Sequence, residues 1–152
     1  MSEEYSISMD DLQHILLVED NQDDIELTLR AFRKNKLSNR IDVARDGEEA
    51  LEMLFDAAGD GGAALPQFVL LDLKLPKVDG LEVLEQIRSD KRTRMLPVVV
   101  LTSSAEDIDL RRAYELGANS YVRKPVDYQE FIQAVRQLGL YWLIVNYPPP
   151  AP

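Results

Sequence analysis

Cysteine is absent from this 152-residue chain, and no apolar stretch is long enough to cross a bilayer. Without cysteine the chain forms neither a disulfide nor a thiolate metal site, which fits a reducing compartment, and we expect a cytoplasmic protein. The longest apolar stretch outside the predicted strands, 138–145, is far shorter than the roughly 20 residues of a membrane span. The polar extension at 1–12 lacks the basic and apolar regions of a signal peptide. We therefore expect no membrane association.

Histidine occurs once, at His14, and basic residues are few: 17 Lys and Arg stand against 27 Asp and Glu. The formal net charge of −10 repels nucleic acid, so we expect no nucleic-acid partner. His14 stands at the start of the first predicted strand, away from the acidic motifs described below. That position argues against a phosphohistidine protein.

Short apolar runs alternate with segments of helical periodicity five times along the chain. The runs that suit buried strands are 15–18, 41–44, 68–71, 98–101 and the surroundings of 121–122. Helical periodicity covers 21–36, 46–55, 81–88, 107–116 and the segment after Asp127. This alternation predicts one α/β domain over 13–138 with a parallel sheet covered on both faces. We expect the flavodoxin-like (βα)5 topology, with strand order 2-1-3-4-5.

Chemically active side chains stand where four of the predicted strands end. Asp72 directly follows the run 68–71, and the other ends supply Glu19 and Asp20, Thr102, and Lys124. In parallel α/β sheets the carboxyl ends of the strands form the edge where ligands bind. Three carboxylates at that edge would repel one another unless a cation neutralises them. Oxygen ligands without His or Cys select Mg²⁺, with Mn²⁺ as the alternative.

Each of these residues also has an ordinary structural interpretation. Asp20 or Asn21 can cap the helix after the first strand, a role that Asp20 could combine with metal binding, and Glu19 can simply be exposed. A threonine after a valine-rich strand is common, and a lone lysine is usually a solvated charge. Adjacent acids elsewhere, such as Asp23-Asp24, are most simply solvated helix faces. The significance of the set is joint, because acids at the ends of two strands, a hydroxyl and an ammonium are what phosphoryl transfer to a carboxylate requires.

In this interpretation Asp72 is the nucleophile and forms an aspartyl phosphate. Lys124 pairs with the phosphoryl oxygens as a compact point charge, and Thr102 donates its hydroxyl to one of them. Cis peptide bonds in proteins occur mostly before proline, and a cis Lys124–Pro125 bond would direct the Lys124 side chain towards the site.

The chain resembles the receiver domain of two-component response regulators. The segments that carry the resemblance are Leu17-Val-Glu-Asp-Asn21, Leu71-Asp-Leu-Lys-Leu-Pro-Lys-Val-Asp-Gly80, Leu101-Thr-Ser-Ser-Ala105 and Gly117-Ala-Asn-Ser-Tyr-Val-Arg-Lys-Pro125. The resemblance implies that Asp72 accepts phosphate from a histidine kinase, while Glu19 and Asp20 bind Mg²⁺. It also implies that the main-chain carbonyl of Lys74 is a metal ligand. Such a protein is a phosphoacceptor rather than an enzyme, with only self-phosphotransfer and slow autodephosphorylation expected.

The same resemblance implies a conformational switch. Thr102 and Lys124 match the hydroxyl and the lysine of the family, and Tyr121 matches its switch aromatic. Movement of Thr102 towards the phosphoryl group would vacate space for the Tyr121 ring to turn inward, so that phosphorylation shifts the population between two packings.

The last residues, 139–152, are apolar and then rich in proline. Because they are too few for a DNA-binding effector, we expect output through protein contacts. If the last helix continues into the tail, Phe131, Leu138 and Trp142 share a stripe that, together with Tyr141, predicts a two-fold homodimer surface. The alternative is that the tail folds back onto its own domain.

The partner kinase has a narrower candidate. The segments 137–143, 39–43 and 121–127 resemble the small stand-alone regulators that are paired with cyanobacterial phytochromes. That resemblance implies dimerisation and a phytochrome-type histidine kinase, either a bacteriophytochrome or a cyanobacterial phytochrome. Similar regulators serve other sensor kinases or relays, and this alternative stays open.

An enzymatic alternative is a magnesium-dependent phosphatase of the haloacid-dehalogenase type, which also forms an aspartyl phosphate. That class needs a second Asp two positions after the nucleophile, where this chain has Lys74. A flavodoxin is disfavoured because Glu19, Asp20 and Asn21 would repel the flavin phosphate.

Overall fold

Five parallel strands form the central sheet of the computed structural model, which describes residues 14–35, 37, 39–59 and 64–150. The strands are β1 (Ile15–Val18), β2 (Ile41–Ala44), β3 (Phe68–Leu71), β4 (Val98–Thr102) and β5 (Ser120–Arg123). Their order in the sheet is β2-β1-β3-β4-β5, and every neighbouring pair is parallel. The predicted flavodoxin-like topology is thereby confirmed. The predicted extension at 1–12 lies outside the described residues.

A helix follows each strand, and most of the helices begin at a capping side chain. They are α1 (Gln22–Lys34), α2 (Gly47–Ala58), α3 (Gly80–Ser89), α4 (Asp107–Glu115) and α5 (Tyr128–Leu140). The side chains of Asn21, Asp46, Asp79 and Asp127 each accept a hydrogen bond from a backbone N–H in the first turn. The cap of α1 is therefore Asn21, and the side chain of Asp20 does not serve as one.

The sheet separates two layers of apolar packing because successive strand residues point to opposite faces. On one face, β1 and β3 residues such as Leu17 and Phe68 pack with α1 and α5. On the other face, their neighbours Val18 and Val69 pack with α2, α3 and α4. The central strands are buried throughout, so the sheet edge that carries the polar side chains is fixed by a rigid core.

The tail folds back onto its own domain. A single π-helical turn, Tyr141–Val145, follows α5. Trp142 is buried in the same layer as Phe131 and Leu138, and its ring centroid lies 6.3 Å from that of Phe68. Of the four residues predicted for a dimer surface, only Tyr141 is exposed. The stripe of Phe131, Leu138 and Trp142 thus faces the core of its own domain.

No helix among the described residues is both long and apolar enough to span a membrane.

Candidate functional site

The predicted site residues meet at the carboxyl edge of the sheet. Val18 and Leu71 are paired across β1 and β3, so Glu19 and Asp72 leave adjacent strands side by side. The Asp72 N–H donates to the Val18 carbonyl at 3.0 Å, which continues the ladder one residue beyond the strand. Lys124 is held the same way, because its N–H donates to the Thr102 carbonyl at 2.7 Å. Parallel pairing therefore fixes the backbone of each residue.

Three carboxylates of this edge form a cluster. Glu19, Asp20 and Asp72 each offer one oxygen, and these oxygens lie within 4.8 Å of one another. Glu19 and Asp72 are buried, whereas Asp20 is exposed. A set of hard oxygen donors with one solvent-facing member fits a divalent cation that retains some of its water, such as Mg²⁺ or Mn²⁺.

Burial makes the charged form of Glu19 costly. It raises the pKa of the Glu19 carboxyl to about 7, and the neighbouring Asp72 charge adds to the shift. The hydrogen bond from Lys124 opposes the shift without cancelling it. A divalent cation beside Glu19 would favour the ionised carboxylate, so the chemistry of this cluster also fits a cation.

Lys124 is the cation that the chain itself supplies. Its ammonium Nζ lies 2.5 Å from Glu19 Oε1, 2.8 Å from Asp24 Oδ2 and 3.2 Å from Asp72 Oδ2. Burial lowers the pKa of Lys124, but the hydrogen bonds to Asp24 and Glu19 outweigh burial and raise that pKa above its ordinary value. The raised pKa favours the charged ammonium, which among the described residues is the cation paired with Asp72. The Lys124–Pro125 peptide bond is trans, so the prediction of a cis bond at this position is wrong.

A hydrogen-bonded loop joins Thr102 to Tyr121. Thr102 is fully buried, and its Oγ1 accepts from the Ser104 N–H at 3.4 Å. The Tyr121 hydroxyl donates to the Ser104 carbonyl at 3.4 Å, from a half-buried ring on β5. Ser104 therefore contacts both predicted switch residues.

A cleft of about 430 Å³ adjoins the carboxylate cluster. Asp20, Lys74, Asp79 and Asp109 are among the residues that line it. The Lys74 ammonium lies 3.5 Å from Asp109 Oδ2, which also accepts from the Ser104 hydroxyl at 2.6 Å. The backbone N–H of Lys74 donates to Asp72 Oδ1 at 3.4 Å. Asp20 is thus the member of the carboxylate cluster that lines this cleft.

The sequence does not identify two residues of the site, Asp24 and Asp109. The sequence pattern indicates a solvated helix face for Asp24, whereas in the structure its side chain binds Lys124, 100 positions away in the sequence. The signal was the Asn21 cap, which starts α1 at the site and places Asp24 in its first turn. Asp109 carried no comparable signal, since its role depends on how α4 packs beside the loop of Lys74.

Comparison with known proteins gives one family. The family model for the response regulator receiver domain matches residues 15–136. The probable methanogenesis regulatory protein FilR2 of Methanothrix harundinacea is 50% identical over 135 residues, which cover 89% of this chain and 86% of that protein.

Two solved structures share the fold over most of their length. The bacteriophytochrome response regulator AtBRR is 51% identical, with a TM-score of 0.68 over 90% of this chain and 99% of that one. The Mn²⁺-bound form of response regulator Rcp1 is 33% identical, with a TM-score of 0.82 over 91% and 99% of the two chains. Rcp1 belongs to a Synechocystis strain.

Proposed function

The chain belongs to the response regulator receiver family, and from this premise we propose that Asp72 accepts a phosphoryl group from a histidine kinase. The observation that carries the proposal is the juxtaposition of Asp72 with two further carboxylates and one buried ammonium at the open sheet edge. Receiver domains pair with histidine kinases, so the phosphoryl donor belongs to another protein.

Asp72 suits the role of acceptor because it is anchored beside a solvent-facing carboxylate. Its N–H donates to the Val18 carbonyl, and the exposed Asp20 of the same cluster lines the adjoining cleft. In the transfer, an ionised Asp72 oxygen forms a bond to phosphorus while the bond between phosphorus and the donor nitrogen breaks. The electron pair of that bond stays with the donor imidazole, and Asp72 has no proton to lose.

A divalent cation is required because of charge. Glu19, Asp24 and Asp72 contact the ammonium of Lys124, and Asp20 lies beside Glu19 and Asp72 in the cluster. These four carboxylates and one ammonium carry a formal charge of −3 when all are ionised. We propose that Glu19, Asp20 and Asp72, with the main-chain carbonyl of Lys74, hold Mg²⁺. When bound, the ion offsets the negative charge that the phosphoryl group brings. The Mn²⁺-bound form of Rcp1 supports a divalent cation in a relative.

Lys124 and Thr102 complete the acceptor site. The Lys124 ammonium already contacts Asp72 Oδ2, so it can transfer that hydrogen bond to a phosphoryl oxygen attached there. The Thr102 hydroxyl, at the end of β4, is proposed to donate to a second phosphoryl oxygen. Both residues stabilise charge and neither moves a proton.

The response is proposed to pass through Ser104 to Tyr121. If the Thr102 hydroxyl turns to the phosphoryl group, its contact with the Ser104 N–H changes. The Ser104 carbonyl also accepts from the Tyr121 hydroxyl, so this bond would change as well and the Tyr121 ring would turn inward into the space that Thr102 vacates. This is a shift between two packings, biased by the phosphoryl group.

For the partner, we propose a phytochrome-type histidine kinase. The identity of 51% to the bacteriophytochrome response regulator AtBRR supports it. The 50% identity to FilR2 favours a different sensor kinase, and this is the second candidate. Incubation with an autophosphorylated bacteriophytochrome kinase separates the two. Transfer within seconds supports the phytochrome pairing, whereas transfer no faster than from an unrelated kinase contradicts it.

Homodimerisation is also proposed, through the part of the tail that remains exposed. Tyr141, Ile144 and Val145 of one π-helical turn are exposed. Tyr141 also lines an apolar groove together with Trp142 and Leu138. Such a surface on a short segment is typical of an interface.

The acceptor role is tested by intact-protein mass spectrometry after incubation with Mg²⁺ and acetyl phosphate. Wild-type protein is expected to gain the mass of one phosphoryl group, and Asp72→Asn is expected to gain none. Asp79→Asn is the matched control, because Asp79 lines the same cleft but caps α3. A gain that survives in Asp72→Asn contradicts the proposal.

A further inference from the structure

Asp24 is the acid at this site that neither the carboxylate cluster nor the acceptor role explains. Its Oδ2 accepts from Lys124 Nζ at 2.8 Å, a shorter distance than the 3.2 Å between Nζ and Asp72 Oδ2. The Lys124 side chain is 8% exposed and that of Asp24 is 27% exposed. The contact is therefore partly buried, which strengthens a charge-assisted hydrogen bond relative to one in water.

The position of Asp24 is set by its backbone and is independent of Lys124. Its N–H donates to Asn21 Oδ1 at 3.0 Å, and its carbonyl accepts from the Thr28 hydroxyl at 2.8 Å. Both bonds use main-chain atoms of Asp24. The carboxylate is thus presented by a capped helix, and its removal leaves the cap intact.

The hydrogen bonds of Lys124 show why the Asp24 carboxylate matters. An ammonium has three N–H donors, and here they meet three acceptors: Glu19, Asp24 and Asp72. Glu19 is also a member of the carboxylate cluster, so a cation held there competes with Lys124 for it. Asp24 is not a member of that cluster. It is the partner that remains with Lys124 when Glu19 is engaged elsewhere.

We propose that Asp24 is a positioning residue that keeps one N–H of Lys124 directed at the phosphoryl-accepting oxygen of Asp72. The inference rests on the proposed phosphorylation of Asp72. Asp24 touches neither the acceptor oxygen nor the incoming group and acts through Lys124. Because the ammonium has a flexible four-carbon stem, it needs a fixed carboxylate to hold it in one place.

The test compares Asp24→Asn with Asp23→Asn. The two variants lose the same charge from the same helical turn, but the exposed Asp23 lies away from Lys124. Phosphorylation by acetyl phosphate is followed at saturating Mg²⁺, so that a change in cation affinity alone does not slow it. We expect Asp24→Asn to react about tenfold more slowly than wild type, as for loss of an orienting charge-assisted hydrogen bond, and Asp23→Asn to stay within about twofold.

A second measurement reports on Lys124 directly, in protein saturated with Mg²⁺, where the cation competes for Glu19. The Nζ protons of Lys124 are expected to exchange slowly enough for detection by ¹⁵N NMR in wild type and Asp23→Asn. They are expected to broaden beyond detection in Asp24→Asn. Equal rates and equal spectra for the two variants would overturn the positioning role while leaving Asp72 as the acceptor. Failure of wild type to accept phosphate would overturn both.

Discussion

At the scale of single residues, the site depends on carboxylates whose charge is tolerated only with a cation nearby. The sequence predicted Glu19, Asp72 and Lys124 correctly as neighbours, because each follows a strand and the strands are parallel. It did not reveal that Lys124 binds Glu19 and Asp24 as well as Asp72. Pairing between side chains 100 residues apart depends on how α1 sits on the sheet, which periodicity does not specify.

Glu19 gives a prediction about pH. Its pKa is about 7 in the folded protein against an ordinary value of 4.5, so folding favours the protonated form. The resulting stability is fully present below pH 4.5 and is lost as pH rises through 7. Glu19→Gln mimics the protonated side chain at every pH. The free energy of unfolding of Glu19→Gln minus that of wild type should therefore be larger at pH 8 than at pH 5, by on the order of 2 kcal/mol.

Urea unfolding in EDTA at the two pH values measures this difference. Added Mg²⁺ should stabilise wild type more at pH 8 than at pH 6, because only the ionised carboxylate binds it. A Glu19→Gln effect that is the same at both pH values would contradict the predicted titration.

At the scale of elements, the start of α3 fixes the loop that carries Asp72. The Gly80 N–H donates to the Leu73 carbonyl at 2.9 Å. A Cβ at Gly80 would lie 2.3 Å from the Asp72 carbonyl oxygen and 2.5 Å from the Leu73 Cα. These are backbone atoms and cannot move aside without shifting the acceptor.

Gly80→Ala is therefore expected to lower the free energy of unfolding by about 1–3 kcal/mol and to slow phosphorylation of Asp72. Gly59→Ala is the control, since Gly59 ends α2 in a right-handed conformation and its added Cβ would lie 3.2 Å from the Asp56 carbonyl oxygen and 3.9 Å from that of Phe55. Chemical unfolding checks both variants. An equal loss in the two would show that the contact with Asp72 is not the cause.

The tail is a structural element of the domain. The helical stripe predicted from the sequence exists, but a stripe specifies only that a face is apolar and does not identify what covers it. Gly139 identifies the part of the molecule that covers this face of α5. A Cβ at Gly139 would lie 2.5 Å from Leu37 Cδ1 and 3.0 Å from Phe32 Cε1. α5 thus lies close to the α1 layer at Gly139, and Trp142 is buried in that same layer.

Trp142→Ala should therefore lower the free energy of unfolding by about 3–5 kcal/mol, as for other buried aromatic residues. Tyr147→Ala, at a side chain that is 93% exposed, should change it little. Denaturant unfolding compares the two. A Trp142→Ala protein as stable as wild type would mean that the tail is not part of the core.

At the scale of the whole molecule, the alternation of apolar strands and amphipathic helices predicted a parallel sheet covered on both faces, whereas its strand order came from analogy with the flavodoxin-like fold. Surfaces were less predictable, because an apolar residue near the end of a chain serves either a core or a partner. In the structure Trp142 is buried in the core, whereas Ile144 and Val145 are exposed.

A dimer through this surface should form at micromolar concentration and should be lost in Ile144→Lys, which puts a charge into the contact. Met95→Lys is the control, because Met95 is similarly exposed but lies in the loop between α3 and β4. Sedimentation velocity measures both. Monomeric wild type, or a dimer that tolerates Ile144→Lys, would contradict the proposed interface.

The central claim is that Asp72 forms an acyl phosphate, and locating the modified residue tests it most directly. Borohydride reduction converts an aspartyl phosphate to homoserine, which peptide mass spectrometry then locates in the chain. After phosphorylation with Mg²⁺ and acetyl phosphate, our account predicts homoserine at residue 72 and at no other acidic position. Homoserine at another position, or none in protein that has gained the phosphoryl mass, would contradict it.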